Sequence, residues 1–304
     1  MAIHHDKLAY GKLASLNEGV SEDRLNNMLD LLNAESGEIC DIHVHTCFSS
    51  DSKEDPEKYI LKAIELNQNY LGFSDHYDYD YVLWNIPAKM PALDLREHTL
   101  SQLKKKYADQ ITILNGLEVG YSKEAEPHYK KLIKNGNFDY IINSVHGLKD
   151  RGDCYFAEFF KGKSKEQAYS DYLNAVYSSV IADFDYNVIG HIGYVARNAP
   201  YKPQELFYSE FAEIIDKILK AIIERDVCLE INGAVGNNSA KFTPDTDILE
   251  RYIKLGGKNF TYGSDSHRVD SYFRKGEEVK NFLKSHQIYG TYVFEKGKKI
   301  FVEF

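Results

Sequence analysis

The sequence alternates short runs of β-favouring residues with longer helix-like stretches, and this alternation restricts the fold more than any other feature. Seven runs are candidate strands: residues 39–44, 70–73, 111–117, 138–144, 186–189, 227–231 and 260–263. A parallel connection between strands needs a crossover long enough to hold a helix, so strands separated by helices favour parallel pairing. The pattern therefore predicts an α/β fold with a parallel sheet.

The stretches between the candidate strands have the apolar spacing of amphipathic helices. In residues 56–66, Pro56 stands at the first helical position behind the potential cap Asp55, which is typical of a helix start. Longer helices are predicted over residues 166–182 and 205–225, and another is predicted to begin at Pro244. Near the C-terminal end, two β-favouring runs flank a Glu-Lys-Gly-Lys segment and predict a hairpin.

The first 37 residues do not follow this alternation of candidate strands and helices. Ser21 is a potential helix cap, and four apolar residues follow it at helical spacing: Leu25, Met28, Leu29 and Leu32. We expect an N-terminal extension over residues 1–37 that contains one amphipathic helix. No linker, charge block or repeat divides residues 38–304, which we expect to form one barrel domain with the C-terminal hairpin.

Nearly every candidate strand ends in side chains that can bind a metal. They are His43, His45, His76, Glu118, His146, His191, Asp265 and His267. The carboxyl ends of parallel strands meet at one mouth in a barrel, so these groups would converge there. A single histidine at a strand end is more often a structural group. The joint placement of six of the 11 histidines, together with two carboxylates, predicts a metal site.

Two motifs at these strand ends have a spacing of two residues. His43 and His45 would point to the same side of a strand, and Asp265 and His267 repeat the arrangement after Gly263. Imidazoles combined with carboxylates suit zinc, iron or manganese. Taken singly, each motif has an alternative: a packed histidine pair, or an aspartate that caps the following helix.

The order of these motifs resembles the polymerase and histidinol phosphatase (PHP) superfamily. The resemblance runs from Asp41 to about Ser271, and three segments are most similar to the histidinol-phosphate phosphatases of that superfamily: GLEVGY at 116–121, SVHGL at 144–148 and YGSDSH at 262–267. The resemblance implies a distorted (β/α)7 TIM-like barrel, with the metal site at the C-terminal ends of the strands.

The resemblance further implies three metal positions. Their nine ligands would be His43, His45, Asp51, His76, Glu118, His146, His191, Asp265 and His267. Glu118 would bridge the first two metals. Asp51 stands where the family usually has a histidine, and a carboxylate there shifts the metal preference towards harder ions. We expect two to three divalent ions, of zinc, iron or manganese.

The implied activity is that of a metal-dependent phosphomonoesterase. Such an enzyme would hydrolyse L-histidinol phosphate to L-histidinol and phosphate, a step of histidine biosynthesis, by attack of a metal-bridging hydroxide. The expected catalytic residues are Glu118, Asp265 and Arg197. Arg197 is included because it stands where related phosphatases have a basic residue for phosphate. Two alternatives stay open: a PHP phosphoesterase with a nucleotide or sugar phosphate as substrate, and a non-catalytic, metal-stabilised PHP module.

Candidate substrate contacts come from a tyrosine-rich loop after the second strand. Tyr77 and Trp84 could pack on the substrate's imidazole ring, although the loop could equally fold over the barrel rim as plain surface. An acidic patch in the same region could instead meet the substrate's ammonium group. Its members are Asp75, Asp78 and Asp80.

Composition narrows the partners and the location. The formal net charge of −9 argues against a broad nucleic-acid surface, and no apolar run reaches the ~18 residues of a membrane span. Four scattered cysteines without a CxxC pair favour buried thiols in a reducing cytoplasm, the expected location. The expected partner is a small phosphate ester; the sequence leaves the oligomeric state open.

Overall fold

A parallel sheet of short strands lies at the centre of a computed structural model that describes residues 38–84 and 90–304. The strands of the described residues are β1 (Tyr70–Phe73), β2 (His76–Tyr77), β3 (Thr112–Gly120), β4 (Tyr140–Ser144), β5 (Gly147–Leu148), β6 (Gly152–Asp153), β7 (Val188–Ile189), β8 (Cys228–Asn232), β9 (Phe260–Gly263), β10 (Gly290–Glu295) and β11 (Lys298–Glu303). Strands β5 and β6, and likewise β10 and β11, form separate two-stranded sheets. The central sheet has the order β1-β3-β4-β7-β8-β9, every pair is parallel, and β2 pairs with the end of β3.

Residues 39–44 join the two ends of this sheet. Asp41 forms bridges with Leu71 in β1 and with Tyr262 in β9. The amide of Gly72 donates to the Asp41 carbonyl at 2.9 Å, and the amide of Ile42 donates to the Tyr262 carbonyl at 3.1 Å. The sheet therefore closes on itself, and the distorted parallel barrel predicted from the sequence is confirmed.

The first predicted strand is reduced to isolated bridges because a side chain replaces part of its ladder. The Asp41 carboxylate accepts the amide of His43 at 3.1 Å and the amide of Ser264 at 3.0 Å. Burial raises the pKa of Asp41 to about 7. A regular strand would pass these amides to a neighbouring strand, so the contacts account for the distortion of the barrel at this point.

Helices cover the outside of the sheet. They are α1 (Pro56–Glu65), α2 (Tyr79–Leu83), α3 (Leu93–Lys106), α4 (Glu126–Asn135), α5 (Lys165–Val180), α6 (Ala212–Glu224), α7 (Thr246–Lys254) and α8 (Gly276–Ser285). Asp55 caps α1 by accepting the amide of Glu57 at 2.9 Å, as predicted. The helix predicted from residue 205 begins only at Ala212, after a 3-10 turn over Tyr208–Glu210. No helix in the described parts of the chain is both long and apolar enough to cross a membrane.

The C-terminal hairpin packs at the end of the barrel opposite the predicted site. Strands β10 and β11 pair antiparallel, from Gly290 opposite Glu303 to Glu295 opposite Lys298. Their apolar side chains join an inner cluster with residues from the starts of the barrel strands: Cys40, Ile42, Leu114, Tyr140, Ile142, Val188, Cys228, Val293, Phe294 and Val302. The hairpin thus covers the floor of the barrel and leaves its mouth open. The helix predicted within residues 1–37 lies outside the described residues.

Candidate metal centre

Glu118 lies in the middle of the barrel mouth with no exposed surface. Strand β3 carries it there, and the parallel register places His76 of β2 directly beside it. The two carboxylate oxygens face different imidazoles. Oε1 lies 2.8 Å from His191 Nε2 and 3.1 Å from His146 Nε2; Oε2 lies 2.9 Å from His76 Nδ1, 3.2 Å from His43 Nε2 and 3.5 Å from His45 Nε2.

These distances are those expected between ligands of one metal ion. Two ligands at 2.0–2.1 Å from a tetrahedral zinc stand about 3.3 Å apart. Several of the facing atoms are buried and make no hydrogen bond within the described chain: His43 Nε2, His45 Nε2, His76 Nδ1, Glu118 Oε2 and His267 Nε2. Buried polar atoms without a hydrogen bond are costly, and a cation among them would satisfy the whole set. The residues therefore fit a metal site.

All nine predicted ligands are brought together by the fold. Four overlapping groups of three residues have ligand atoms within 4.8 Å of one another: His43-His45-Glu118, His76-Glu118-His146, His43-His191-Asp265 and His45-His76-His267. Asp51 has the loosest position, because its side chain is 54% exposed; it still lies 3.0 Å from His267 Nε2 and 3.7 Å from His76 Nε2.

Glu118 and His45 already have the charges that metal binding requires. Burial raises the pKa of Glu118, but the surrounding imidazoles, His43 first among them, outweigh it and hold that pKa well below its usual range. Burial lowers the pKa of His45, and the neighbouring His267 lowers it further, to about 3. An ionised carboxylate and a neutral imidazole are the forms that coordinate metals. At His43, His76 and His146 the neighbouring carboxylates outweigh burial and raise the pKa, so these imidazoles would release a proton when a metal binds.

A model of the PHP domain matches residues 41–234 of this sequence. The chain belongs to the PHP domain family. It is similar to the histidinol-phosphatase of Lactococcus lactis subsp. lactis (strain IL1403), with 34% identity over 229 residues that make up 75% of this chain and 83% of that protein. The histidinol-phosphatase of Bacillus subtilis (strain 168) is 26% identical over 251 residues, or 75% of this chain and 93% of that protein.

The fold of this chain is also similar to that of a solved structure. The crystal structure of histidinol phosphate phosphatase from Lactococcus lactis, complexed with zinc, L-histidinol and phosphate, matches with a TM-score of 0.78 and 31% identity. The match covers 87% of this chain and 100% of that one.

A second layer of side chains orients the imidazoles of the candidate metal centre. His43 Nδ1 lies 2.5 Å from Glu230 Oε1, and the other oxygen of Glu230 accepts the amide of His191 at 2.7 Å. His146 Nδ1 lies 3.1 Å from Asp78 Oδ1. Such contacts fix ring orientation and raise ligand basicity. Glu230 therefore supports two of the predicted ligands, His43 and His191.

Sequence reasoning missed a second support, which lies behind His45. Ser49 Oγ lies 3.1 Å from His45 Nδ1 and donates to Asp75 Oδ1 at 3.0 Å. Asp75 Oδ2 in turn accepts from Nε of Arg96, at 2.6 Å. Asp75 is thereby engaged inside the protein, and the prediction that it meets substrate is wrong.

Gly263 acts through its small size. A Cβ atom at this position would lie 2.4 Å from the Cβ of His43 and 2.3 Å from Glu230 Oε1. Any side chain would therefore displace the first ligand and its support. The glycine therefore makes room for His43.

Arg197 lines the cleft that leads to the candidate metal centre. Nη2 of its guanidinium lies 2.7 Å from Asp265 Oδ2 and 3.1 Å from Asn232 Oδ1. Its Cζ lies 4.9 Å from the centre of the Tyr194 ring. Burial raises the pKa of Asp265, but Arg197 and His43 hold it well below its usual range. Arg197 is thus a fixed positive group next to a predicted ligand.

The cleft has a volume of about 640 Å³ and is lined by metal-site residues and by aromatic side chains. The predicted contacts Tyr77 and Trp84 are not among its described lining residues. Tyr77 is buried, with its hydroxyl 2.9 Å from His128 Nε2. The aromatic residues that do line the cleft are Tyr81, Tyr155, Phe156 and Tyr194.

Proposed function

We propose that this PHP protein is a histidinol-phosphatase, which hydrolyses L-histidinol phosphate to L-histidinol and phosphate in histidine biosynthesis. One observation carries the proposal. The two oxygens of the buried Glu118 face separate sets of imidazoles, which is the arrangement of a carboxylate that bridges two metal ions. The similarity to named histidinol-phosphatases supports the substrate, since one such relative was crystallised with zinc, L-histidinol and phosphate.

The ligands divide into three sets. The first comprises His43, His45, Glu118 and Asp265; the second comprises Glu118, His146 and His191; the third comprises Asp51, His76 and His267. We propose two to three divalent ions, of zinc, iron or manganese, with the third position the most weakly held because Asp51 is half-exposed. Metals bound there would activate water at neutral pH and polarise the phosphoryl oxygens.

The protein's own groups would position the ester and balance its charge. Arg197 presents a planar donor to the cleft and is held in place by Asp265 and by the face of Tyr194. A guanidinium suits a phosphoryl group because it donates two parallel hydrogen bonds. Glu118 and Asp265 stay ionised and hold the positive charges in place. The proposed substrate is a small molecule. The cytoplasmic location of the protein stays a prediction.

The test is a phosphate-release assay on purified protein with measured metal content. Turnover of L-histidinol phosphate should exceed that of a nucleoside 3′,5′-bisphosphate and of a sugar phosphate at equal concentration. Metal removal with a chelator should abolish the activity, and zinc or manganese should restore it. Preferred release from the bisphosphate would assign a different substrate to the same centre. No release from any ester, with metal fully loaded, would leave only a structural role for the metals.

A further inference from the structure

One carboxylate on the cleft wall has no cationic partner among residues 38–84 and 90–304. Four aspartates line the cleft: Asp51, Asp78, Asp153 and Asp265. Three of them contact metal-site histidines, at 3.0 Å for Asp51 with His267, 3.1 Å for Asp78 with His146 and 3.3 Å for Asp265 with His45. Asp153 forms no ion pair with any residue that the structure describes. Its carboxylate lines the cleft without a counter-ion from the described part of the chain.

A tight hairpin fixes Asp153 close to the metal centre. Strands β5 and β6 pair antiparallel, with Gly147 opposite Asp153, and the amide of Cys154 donates to the carbonyl of His146 at 2.8 Å. A Cβ on Gly147 would lie 2.4 Å from the carbonyl oxygen of Gly152, so only glycine permits this approach. Asp153 therefore stands at a set distance from the ligand His146.

The carboxylate is held by neutral groups that leave its charge intact. Asp153 Oδ1 accepts the amide of Tyr155 at 2.7 Å and the hydroxyl of Tyr194 at 3.2 Å. Hydrogen bonds from neutral donors orient a carboxylate and do not neutralise it. Asp153 is thus prepared for a cation that arrives from the cleft.

The surroundings of Asp153 also favour a cation with an apolar frame. Tyr155 and Phe156 line the cleft with 52% and 57% of their surface exposed, although aromatic side chains of this size are usually more deeply buried. Aromatic faces attract organic cations, most strongly where water is partly excluded. This end of the cleft is therefore suited to a nitrogen cation that carries a ring.

A single tyrosine spans the two ends of the cleft. The Tyr194 ring centre lies 5.3 Å from the ring of His146 and 5.2 Å from that of His191, and its hydroxyl reaches Asp153. L-histidinol phosphate has matching proportions, because its ammonium group is on the carbon next to the one that bears the phosphate ester. A phosphoryl group at the metal centre would place that ammonium near the tyrosine and its partner aspartate.

We propose that Asp153 binds the ammonium group of the substrate and so selects amino-alcohol phosphates over other phosphate esters. This inference rests on the proposed function. It replaces the earlier expectation for the acidic patch after the second strand, since Asp75 pairs with Arg96, Asp78 contacts His146 and Asp80 is fully buried.

The test compares two substrates on the metal-loaded enzyme: L-histidinol phosphate and the same ester with hydrogen in place of the amino group. Asp153→Asn should lower kcat/KM for L-histidinol phosphate by about 30-fold, mainly through KM. That loss corresponds to about 2 kcal/mol at 1.4 kcal/mol per factor of ten. The loss for the deaminated ester should stay below about threefold, because the lost partner is absent from that ester.

Asp150→Asn is the matched control. Asp150 is an exposed residue in the turn of the same hairpin, has a positive φ of 66° that asparagine tolerates, and does not line the cleft. The substitution Asp150→Asn removes the same charge and should leave kcat/KM unchanged for L-histidinol phosphate and for the deaminated ester. The wild-type enzyme gives a second measurement that does not depend on the variant's folding: it should prefer L-histidinol phosphate over the deaminated ester by roughly 30-fold.

Equal losses for the two esters in Asp153→Asn, or a wild-type preference below about threefold, would overturn the inference and leave the proposed function standing. Absence of any phosphate release from L-histidinol phosphate by the wild-type enzyme would overturn the proposed function, and the role of Asp153 with it.

Discussion

Replacement of Glu118 by glutamine removes one negative charge from the centre of the metal cluster and keeps the volume of the side chain. The carboxylate lies within 2.8–3.5 Å of five imidazole nitrogens, two at Oε1 and three at Oε2. An amide has only one acceptor oxygen. In either orientation its NH2 group faces one of the two imidazole sets, so one of the proposed metal positions loses an oxygen ligand.

The size of the effect follows from the burial of this charge. Removal of one preorganised electrostatic group from an active site typically costs 10²–10³ in kcat, or about 2.7–4 kcal/mol. Glu118 is fully buried and would serve two metals, so we expect a loss of at least ~100-fold in kcat. The number of metals per chain should fall as well. Folding should change little, because the residue lies at the barrel mouth and not in the apolar clusters.

The assay measures kcat for L-histidinol phosphate and the metal content of the same preparation. Glu124→Gln is the matched control, because Glu124 follows the same strand but forms an exposed pair with Lys149. The control should keep normal kcat and metal content. Normal turnover with full metal loading in Glu118→Gln would show that the carboxylate does not bridge metals and would refute the reasoning.

Three further predictions concern other parts of the molecule. The double variant His43→Ala/His45→Ala should lose at least one metal per chain, measured by elemental analysis; unchanged content would contradict the first ligand set. Arg197→Ala should raise KM for the phosphate ester by more than tenfold, since a charge-assisted bond is worth roughly 1.5–3 kcal/mol, whereas Arg225→Ala, an arginine over Tyr186 far from the cleft, should not. Asp80→Asn should stabilise the fold at alkaline pH, because burial and the neighbouring Asp78 raise the pKa of Asp80 to about 8. Between pH 4 and 8 the unfolded chain has lost this proton and the folded chain retains it, so wild-type stability falls as pH rises. Urea unfolding should show that Asp80→Asn gains stability relative to the wild type between pH 5 and pH 8, and that the exposed Asp109→Asn does not.

The ligands could be predicted from sequence because strand ends and ligand positions coincide in a parallel barrel. A strand with a polar residue just beyond its apolar run presents that residue at the mouth, whatever the rest of the fold does. His146, His191 and Glu118 follow this rule on three neighbouring strands. The prediction needed only local patterns and their order along the chain.

The supporting layer could not be predicted in the same way, because its contacts join residues far apart in sequence. Glu230 lies 187 positions from His43, to which it hydrogen-bonds. Arg96 is fully buried, and its guanidinium donates to the Phe73 carbonyl at 3.0 Å, to the Gly116 carbonyl at 2.8 Å and to Asp75. In the sequence it is an ordinary charged residue among polar neighbours. Its role exists only once α3 packs against the sheet.

The prediction for Tyr77, by contrast, could have been corrected from the sequence alone. Adjacent residues on a strand point to opposite sides, so a chain that directs His76 into the barrel mouth must direct Tyr77 outwards. The structure shows this alternation on β2, with His76 beside Glu118 and Tyr77 against His128 on the outer side. The aromatic residues at the cleft come instead from segments that fold back over the mouth, such as Tyr155 behind the hairpin of β5 and β6. Substrate contacts in this fold therefore depend on loop geometry, and metal ligands depend on strand register. For this reason the sequence predicts the metal centre far better than it predicts specificity.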